Sequence, residues 1–376
     1  DGLPQDSVHY RVGMPELQGI SQPLVVAAAQ PEHTDPRTGL RFGTTRPVER
    51  EVAAVAKRVG NWIRLRRKPN ADKRIGILYY NHPPGRHNIG ADNLDVPRSL
   101  MRILRNLKKA GYTTGPLPES HKALLDRMQA RGVNLPENRA ELKRLHGQVP
   151  TLSAAEYREW FRTLPAAIRA EMRDGPLGFL HKSLHKAEKA GRPDLGRDLL
   201  ERMNGDLRHL LEGTDHPAAD RALDLLDQLR AEYEALLAQK AGASWKAAKK
   251  LVTGLRDTGI EGLHGWGEPP GRVMVHDGDM LLPGLRFGNV WIGPQPPRGW
   301  QVNEELLHAN LAIPPPHQYL GYYHWLKDEF GADALVHLGR HSTYEFLPRR
   351  RVGLTETDYP RLIAGDIPGI YPYIVD

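Results

Sequence analysis

The sequence of 376 residues contains no cysteine. Without a thiol the chain can form no disulfide, no thiolate metal site and no iron–sulfur ligation, and it has no cysteine nucleophile. Any metal that the chain binds must therefore be held by nitrogen or oxygen ligands from His, Asp, Glu, Asn or backbone carbonyl groups.

The sequence also lacks long apolar runs. No segment approaches the roughly 20 apolar residues that a transmembrane helix needs, and no basic stretch followed by an apolar one resembles a signal peptide. With 40% hydrophobic residues, the chain can bury one large core or two smaller ones. The pattern predicts a globular, cytoplasmic protein without a membrane span, and the ends at Asp1 and Asp376 suggest a fragment of a longer protein.

The formal net charge is +7, which favours an anionic partner such as nucleic acid, phosphate or a polycarboxylate small molecule. Nucleic acid is the weakest of these candidates, because basic and aromatic residues are not interleaved in one stripe. The densest basic run, at residues 64–68, lies at the end of a predicted helix and is typical of a solvated helix end.

Alternation of apolar strands, polar loops and helices predicts an α/β fold. Residues 75–80 read as a buried strand, followed by a polar loop and a helix from Pro97 to Ala110 that Gly111 ends. Other strands are predicted at 24–29, 272–275, 289–292, 332–337 and 369–375, and other helices after Pro47 and at 317–330. The helix after Pro47 is expected to present one apolar face, formed by Val48, Val52, Val55, Val59 and Trp62.

From about residue 119 to residue 255 the pattern becomes almost wholly helical. We therefore expect mostly parallel sheet layers flanked by helices, with an inserted or appended helical subdomain. The predicted boundaries are an α/β segment at 1–115, a mainly helical subdomain at 116–262, and a second α/β segment at 263–376 that completes one domain with the first.

The sharpest candidate site follows the predicted strand that ends at His337. If the chain turns through Gly339 into a helix, His341 and Glu345 lie one turn apart and can share a cation with His337. The alternative is a capping box, in which Glu345 serves only the backbone at a helix start that Ser342 caps. The basic turn at 349–351 could clamp carboxylates of a substrate or could simply be solvated.

A second candidate is the loop after the strand at 75–80. In open α/β sheets, ligands bind beyond the carboxyl ends of the strands, and this loop carries the polar side chains of Asn81, His82, His87 and Asn88. A Pro/Gly turn with incidental histidines is the alternative. The loop lacks the lysine and Ser/Thr of a phosphate-binding Walker loop, so the sequence does not predict an ATP site here.

A third candidate is the proline-stiffened loop after the strand at 289–292. Gln295 lies in this loop, Arg298 could pair with a carboxylate, and Trp300 could stack on a flat ring. His317 follows a second proline-rich stretch. Trp300 could equally be a core residue, and His317 could simply begin a helix.

Several of these segments resemble the large-subunit family shared by ATP-dependent cobalt chelatases and magnesium chelatases. The resemblance rests on segments at 79–85 (YYNHPPG), 88–90, 283–289 (PGLRFGN), 293–296 (GPQP), 314–319 (PPPHQY), 330–339 (FGADALVHLG) and 341–348. The family usually continues with His-Gly and later Pro-Gly-Lys, whereas this chain has His341-Ser342 and Pro348-Arg349-Arg350. The resemblance covers most of the chain and identifies it as a central fragment of the tetrapyrrole-binding subunit.

The resemblance implies insertion of a divalent metal into a tetrapyrrole by an ATP-dependent metal chelatase. The expected substrates are Co²⁺, with Mg²⁺ possible, and a corrin precursor like hydrogenobyrinic acid a,c-diamide. ATP and its Mg²⁺ would be bound by partner AAA+ and adaptor subunits. On this reading His337, His341 and Glu345 are catalytic groups that act as transient metal ligands or proton acceptors. The substrate contacts come from Asn81, His82, His87, Asn88, Gln295, Arg298, Trp300 and His317.

Three other functions remain open from the sequence. One is a magnesium chelatase-like subunit that acts on protoporphyrin, and another is a module that binds tetrapyrrole without catalytic groups. The third is a zinc hydrolase built on the two histidines and Glu345, although no further carboxylate is spaced to complete its metal site.

Overall fold

The structure is a computed structural model that describes residues 9–14, 18, 24–82, 84–90, 94–135, 138–298, 310–339, 347–349 and 354–372. Its centre is a five-stranded sheet formed by β5 Ile75–Tyr79, β9 Leu285–Phe287, β10 Val290–Pro294, β11 Ala334–Leu338 and β12 Gly369–Ile370. The order of the strands across the sheet is β12-β11-β5-β10-β9.

Central strand β5 runs parallel to both of its neighbours, β10 and β11. Strand β12 continues the parallel arrangement beside β11, and β9 pairs antiparallel with β10 at the other edge. Every residue of β5 and β10 is buried, as expected for parallel strands that are covered on both faces. The carboxyl ends of β5, β10 and β11 consequently meet at one edge of the sheet.

Helices cover both faces of this sheet. One face packs Ile77 and Ile292 against α2 Val96–Lys109 and α3 His121–Arg131. The other face packs Leu78, Trp291 and Leu335 against α5 Ala154–Thr163, α6 Ala166–Asp174 and α11 His317–His324. Neighbouring residues of each strand therefore enter different cores, and the predicted α/β fold class is confirmed.

Within the residues that the structure describes, the middle of the chain is helical, as predicted, apart from one short strand. Its helices are α3, α4 Arg139–Leu145, α5, α6, α7 Pro176–Lys189, α8 Pro193–Glu212, α9 Ala219–Leu237 and α10 Trp245–Arg256. Helices α7 to α10 share a separate hydrophobic core. The exception is β6 Thr151–Ser153, which joins β7 Val275–His276 and β8 Asp279–Leu281 in a small sheet with the order β6-β8-β7.

The sheet contains strands from both the first and the last predicted α/β segments, since β5 lies between β10 and β11. The exact boundaries at 115/116 and 262/263 stay predictions. The remaining helices are α1 Glu49–Arg67 and α12 Tyr359–Ala364, with single turns at Asn70–Asp72 and wider, π-type turns at His9–Gly13 and Trp325–Glu329. Among the described residues, no helix combines the length and the apolar character needed to cross a membrane.

The predicted strand at 24–29 is present only at Ala27–Ala29, and the prediction that it is buried is wrong. This strand, β1 Ala27–Ala29, pairs with β4 Thr45–Pro47, and β2 His33–Thr34 pairs with β3 Arg41–Phe42. All four strands are exposed or only partly buried. Two-stranded ribbons have no second layer against which to bury their apolar residues, so the alanines remain accessible to water.

The predicted apolar face of α1 is also wrong in part. Val52 and Val59 are 43% and 52% exposed, while the helix buries Glu51 and Asn61. The Asn61 amide explains this orientation, because its Nδ2 donates hydrogen bonds to the backbone and the carboxylate of Asp366 at 2.8 and 2.9 Å. Buried polar groups are costly unless they are hydrogen-bonded, so these two bonds stabilise the orientation in which Asn61 faces the protein.

Candidate functional site at the carboxyl edge of the sheet

The fold brings three of the predicted site segments to the same edge of the sheet. Asn81 and His82 lie two and three residues after the end of β5, Gln295 and Arg298 follow β10, and His337 is the penultimate residue of β11. The backbone N–H of Gln295 donates to the carbonyl of Tyr79 at 2.8 Å, which extends the pairing of β5 and β10 by one residue. Regular strand pairing thus fixes the positions at which the loops after β5 and β10 leave the sheet.

His337 lies inside the protein with 2% of its surface exposed. Its Nε2 lies 3.2 Å from the hydroxyl oxygen of Tyr323, and the two rings are stacked with centroids 6.2 Å apart. Burial lowers the pKa of His337 to about 3, because a charged imidazolium loses its hydration there. At neutral pH this side chain is therefore a neutral imidazole.

A polar network connects β11 to β10 through helix α11. The Nε2 of Gln295 donates to the hydroxyl oxygens of Tyr319 and Tyr323, both at 3.3 Å, and Tyr323 is the partner of His337. Tyr319 and Tyr323 lie one helical turn apart, so both hydroxyl groups reach the same side of the helix. The sheet edge is consequently lined by an amide, two phenols and the neutral imidazole of His337.

The loop after β5 is held in shape by Asn81. Its Nδ2 donates to the carbonyls of Gly85 and Asn88, both at 2.9 Å, and its Oδ1 accepts from the backbone N–H of Asn134 at 2.8 Å. Asn134 in turn donates from Nδ2 to the carbonyl of Gln295 at 2.6 Å. Asn81 therefore ties the loop to the sheet edge, while the Asn88 and His87 side chains are exposed at the loop tip.

A buried cation lies beside the same edge. Arg298 is 2% exposed, and its Nη2 donates to the carbonyls of Asn310 and Ile313 at 3.2 and 2.8 Å. Burial lowers the pKa of Arg298 to about 10, so the guanidinium keeps its charge at neutral pH. Burial, with a further contribution from the positive charge of Arg298, lowers the pKa of His82 to about 4. His82 is thus neutral as well.

His317 has a different environment from the other predicted site residues. Its Nε2 lies 2.9 Å from the carbonyl of Gly267, and its Nδ1 lies 3.1 Å from the hydroxyl of Tyr157. Because a carbonyl can only accept, Nε2 carries the proton and Nδ1 accepts from the tyrosine. Burial lowers the pKa of His317 to about 4. Both ring nitrogens of His317 are therefore hydrogen-bonded within the protein. These bonds connect the first residue of α11 to Gly267 and to Tyr157 of α5.

Three predicted site residues lie outside the described residues, namely His341, Glu345 and Trp300. The hypothesis of a metal site shared by His337, His341 and Glu345 therefore stays a prediction, as does its capping-box alternative. The stacking role of Trp300 also stays a prediction.

The basic turn at 349–351 contributes a buried ion pair. The Nη2 of Arg349 lies 2.7 Å from Oε2 of Glu171, which also accepts from the hydroxyl of Tyr359 at 2.7 Å. Burial raises the pKa of Glu171, and Arg349 and Tyr359 oppose that rise. Arg349 is therefore committed to an internal carboxylate, while Arg350 and Arg351 lie outside the described residues.

Sequence reasoning missed the polar residues that come from helices and loops elsewhere in the chain. Neither Tyr323 nor Asn134 was among the predicted site residues, and Tyr319 entered only as part of the segment at 314–319 that carries the family resemblance. The available signal was the spacing of the two tyrosines directly after the proline-rich segment, which places two hydroxyl groups on one helix face.

Comparison with known proteins supplies the family. The sequence model of the family described as CobN/Magnesium Chelatase matches residues 1–177 and 256–376. The matched parts include all five strands of the central sheet and the polar network at its edge. The unmatched stretch lies within α7 to α10, the helices with their own hydrophobic core.

Curated relatives carry both chelatase names. The chain is 28% identical over 326 residues to the aerobic cobaltochelatase subunit CobN of Pseudomonas aeruginosa, covering 86% of this chain and 18% of that protein. It is 25% identical over 373 residues to the chloroplastic magnesium-chelatase subunit ChlH of Oryza sativa subsp. indica, covering 99% of this chain and 19% of that protein. The chain thus spans about a fifth of the length of these relatives.

A solved structure agrees with these matches. The catalytic subunit of cobaltochelatase from Mycobacterium tuberculosis superposes with a TM-score of 0.60 at 25% identity, and the match covers 100% of this chain and 24% of that one. The fold is therefore shared along the whole chain, including the helical middle. Because the family match extends over well more than half of the sequence, this chain belongs to the CobN/magnesium chelatase family.

Proposed function

We propose that this chain forms part of the tetrapyrrole- and metal-binding region of a cytoplasmic chelatase subunit that inserts Co²⁺ into a corrin precursor. The observation that carries the proposal is the uncharged polar network of His337, Tyr323 and Gln295 at the carboxyl edge of a parallel sheet. Such an edge is where open α/β sheets bind ligands, and the family includes proteins named as cobalt and magnesium chelatases.

Metal insertion requires three events. The metal must shed its water, the ring nitrogens must lose their protons, and the macrocycle must be held while bonds exchange. A histidine whose pKa is about 3 is a poor proton acceptor at neutral pH, but it can ligate a metal without first releasing a proton. We therefore assign His337 to transient metal ligation, with His341 and Glu345 as the proposed co-ligands.

Positive charge supports the binding of a substrate with several carboxylates. Arg298 remains charged inside the protein next to His82, and the chain as a whole carries a formal charge of +7. Both features favour anionic side groups on the ring. We propose that Trp300 stacks on the macrocycle and that His87 and Asn88, which are exposed on the loop held by Asn81, contact its rim.

Imidazole ligands favour Co²⁺ over Mg²⁺, which prefers oxygen ligands and retains its waters. A magnesium chelatase-like role with protoporphyrin is the second candidate, because a relative named magnesium-chelatase subunit ChlH aligns with 99% of this chain. In either case we assign ATP hydrolysis to partner AAA+ and adaptor subunits, since this sequence contains no Walker loop.

Tetrapyrrole titration into the chain tests the proposal. Hydrogenobyrinic acid a,c-diamide and metal-free protoporphyrin IX would be titrated separately, with tryptophan quenching and ligand absorbance as readouts. We expect the corrin precursor to bind more tightly, and we expect His337→Ala to weaken its binding about tenfold or more, the scale of one lost buried polar contact. Stronger binding of protoporphyrin would favour the magnesium candidate.

The chain offers a matched control in its helical middle. His181 also lies beside a tyrosine hydroxyl, with Nδ1 2.9 Å from the oxygen of Tyr233, but this pair lies in the stretch that the family model leaves unmatched. His181→Ala should leave tetrapyrrole affinity unchanged. Equal weakening by His181→Ala and His337→Ala, or no binding of either ligand to the folded wild-type chain, would contradict the proposal.

A further inference from the structure

A second set of metal-ligating side chains lies on the small sheet β6-β8-β7. His276 ends β7, Asp277 lies in the turn, and Asp279 begins β8. His146 directly follows α4, and its ring contacts His276 and Asp279. Ligand atoms of His146, His276 and Asp277 all lie within 4.8 Å of one another. Among the described residues, these three side chains form the group of His and acidic residues that is close enough to hold one ion.

The two imidazoles each face a carboxylate. The Nε2 of His276 lies 3.3 Å from Oδ2 of Asp277, and the Nε2 of His146 lies 3.2 Å from Oδ2 of Asp279. The two rings meet edge to face, with centroids 5.4 Å apart. Two imidazole nitrogens and the Asp277 carboxylate thus converge on one point, although His276 and Asp277 lie far from His146 in the sequence.

The backbone builds this arrangement locally. Asp277 and Gly278 both have positive φ angles, +49° and +85°, as a two-residue hairpin turn between twisted strands requires. This turn holds the Asp277 carboxylate beside His276, while the pairing of Asp279 with Ser153 fixes the start of β8 against β6. The cluster is therefore supported by strand pairing on both sides of the turn.

We propose that His146, His276 and Asp277, with Asp279 as the hydrogen-bond partner of His146, form a site for a borderline divalent ion such as Zn²⁺ or Co²⁺. Imidazole nitrogen combined with carboxylate oxygen suits these ions, whereas Mg²⁺ and Ca²⁺ take mainly oxygen ligands. The side chain of His276 is 16% exposed and that of Asp277 is 77% exposed. The site is thus anchored on its inner side and open to solvent on its outer side.

The alternative is a pair of separate ion pairs, His146 with Asp279 and His276 with Asp277. Partly exposed pairs of this kind contribute little to stability, and nothing about two independent pairs requires their imidazoles to meet. A shared ion explains why they converge. It would connect the end of α4 to the β7–β8 hairpin, and so this site goes beyond the proposed chelatase role, which involves the carboxyl edge of the central sheet.

Titration of Co²⁺ alone, without tetrapyrrole, tests the site. Co²⁺ with nitrogen and oxygen ligands gives visible d–d absorption bands, and we expect one equivalent to bind at this cluster. His276→Gln and Asp277→Asn should each weaken that binding at least about tenfold, because even partners outside the ligand shell change metal affinity by 10–100-fold. Asp277→Asn keeps the fold, since its side chain is exposed and asparagine tolerates a positive φ.

His181→Ala serves as the control and should leave these bands unchanged, because His181 lies beside Tyr233 in the helical middle of the chain, outside both proposed metal sites. Loss of the bands in His337→Ala but not in Asp277→Asn would place the bound Co²⁺ at the central sheet and overturn the new site. A folded wild-type chain without Co²⁺ or Zn²⁺ binding would overturn it too. Neither result depends on tetrapyrrole binding, so failure of this inference is distinguishable from failure of the proposed function.

Discussion

Buried neutral histidines should make the chain less stable in mild acid. Burial lowers the pKa of His337 to about 3 and that of His317 to about 4, whereas a histidine in an unfolded chain titrates near 6.5. As the pH falls below about 6.5, the unfolded chain takes up a proton at each position and the folded chain does not. Each histidine therefore favours unfolding progressively as the pH falls towards its folded pKa.

The size of the effect follows from the pH interval. Each pH unit below the unfolded pKa costs about 1.4 kcal/mol per histidine, so the step from pH 7 to pH 5 removes about 2 kcal/mol for each residue. His337 and His317 together should lower the free energy of unfolding by about 4 kcal/mol over this step. That is a large share of the 5–15 kcal/mol typical of a domain.

Urea unfolding of the wild type and of His337→Asn at pH 7 and pH 5 measures this contribution. The substitution should destabilise the chain at pH 7, yet the loss between pH 7 and pH 5 should shrink by about 2 kcal/mol. Other titrating groups, such as Glu171, affect both proteins alike and cancel in the comparison. Tyr323→Phe removes the hydrogen-bond partner of His337 but keeps the imidazole. This variant should lose as much unfolding free energy between pH 7 and pH 5 as the wild type does. If His337→Asn lost as much unfolding free energy between pH 7 and pH 5 as the wild type, the reasoning would be refuted.

Two further perturbations test the polar contacts around the site. Glu171→Gln leaves the buried guanidinium of Arg349 without its carboxylate, and should cost about 3–5 kcal/mol of unfolding free energy. Glu268→Gln, which removes an exposed pair, should cost under about 1 kcal/mol; similar losses in urea unfolding would contradict this difference. Asn81→Ala removes three hydrogen bonds and should cost about 3 kcal/mol, with faster amide hydrogen exchange at residues 85–88. Unchanged exchange there would show that Asn81 does not hold the loop.

The central sheet was predictable because its strands are short and apolar throughout. Residues 75–79 and 290–294 have no polar face, which is typical of strands that are buried on both sides. The helix at 96–109 was predictable from its end signals, since Asp95 caps it and Gly111 follows it. Placing His337 at a carboxyl edge followed directly from these assignments.

The burial of α1 was not predictable from its valines. The pattern of Val52 and Val59 indicated an apolar face, but the hydrogen bonds from Asn61 to Asp366 turn that face outward. The partner residue lies at the other end of the sequence, so no local pattern could reveal it. The same reason hid Glu171, whose partners in the structure come from the last thirty residues of the chain.

The candidate site was predictable only where its residues belong to strand ends. Gln295 and His337 were predicted as site residues from their places at strand ends, but their common partner Tyr323 comes from a helix and looks like a core residue in sequence. The cluster of His146 with His276 was missed altogether, because it depends on the pairing of β6 with β8 across a long helical stretch. Tertiary contacts of this kind leave no spacing pattern in the sequence.

A structure of the chain with hydrogenobyrinic acid a,c-diamide bound tests the central claim most directly. The account predicts that the macrocycle lies at the carboxyl ends of β5, β10 and β11, within contact distance of the loop held by Asn81 and close to His337. A macrocycle seated against α7 to α10, or anywhere else away from this edge, would contradict it.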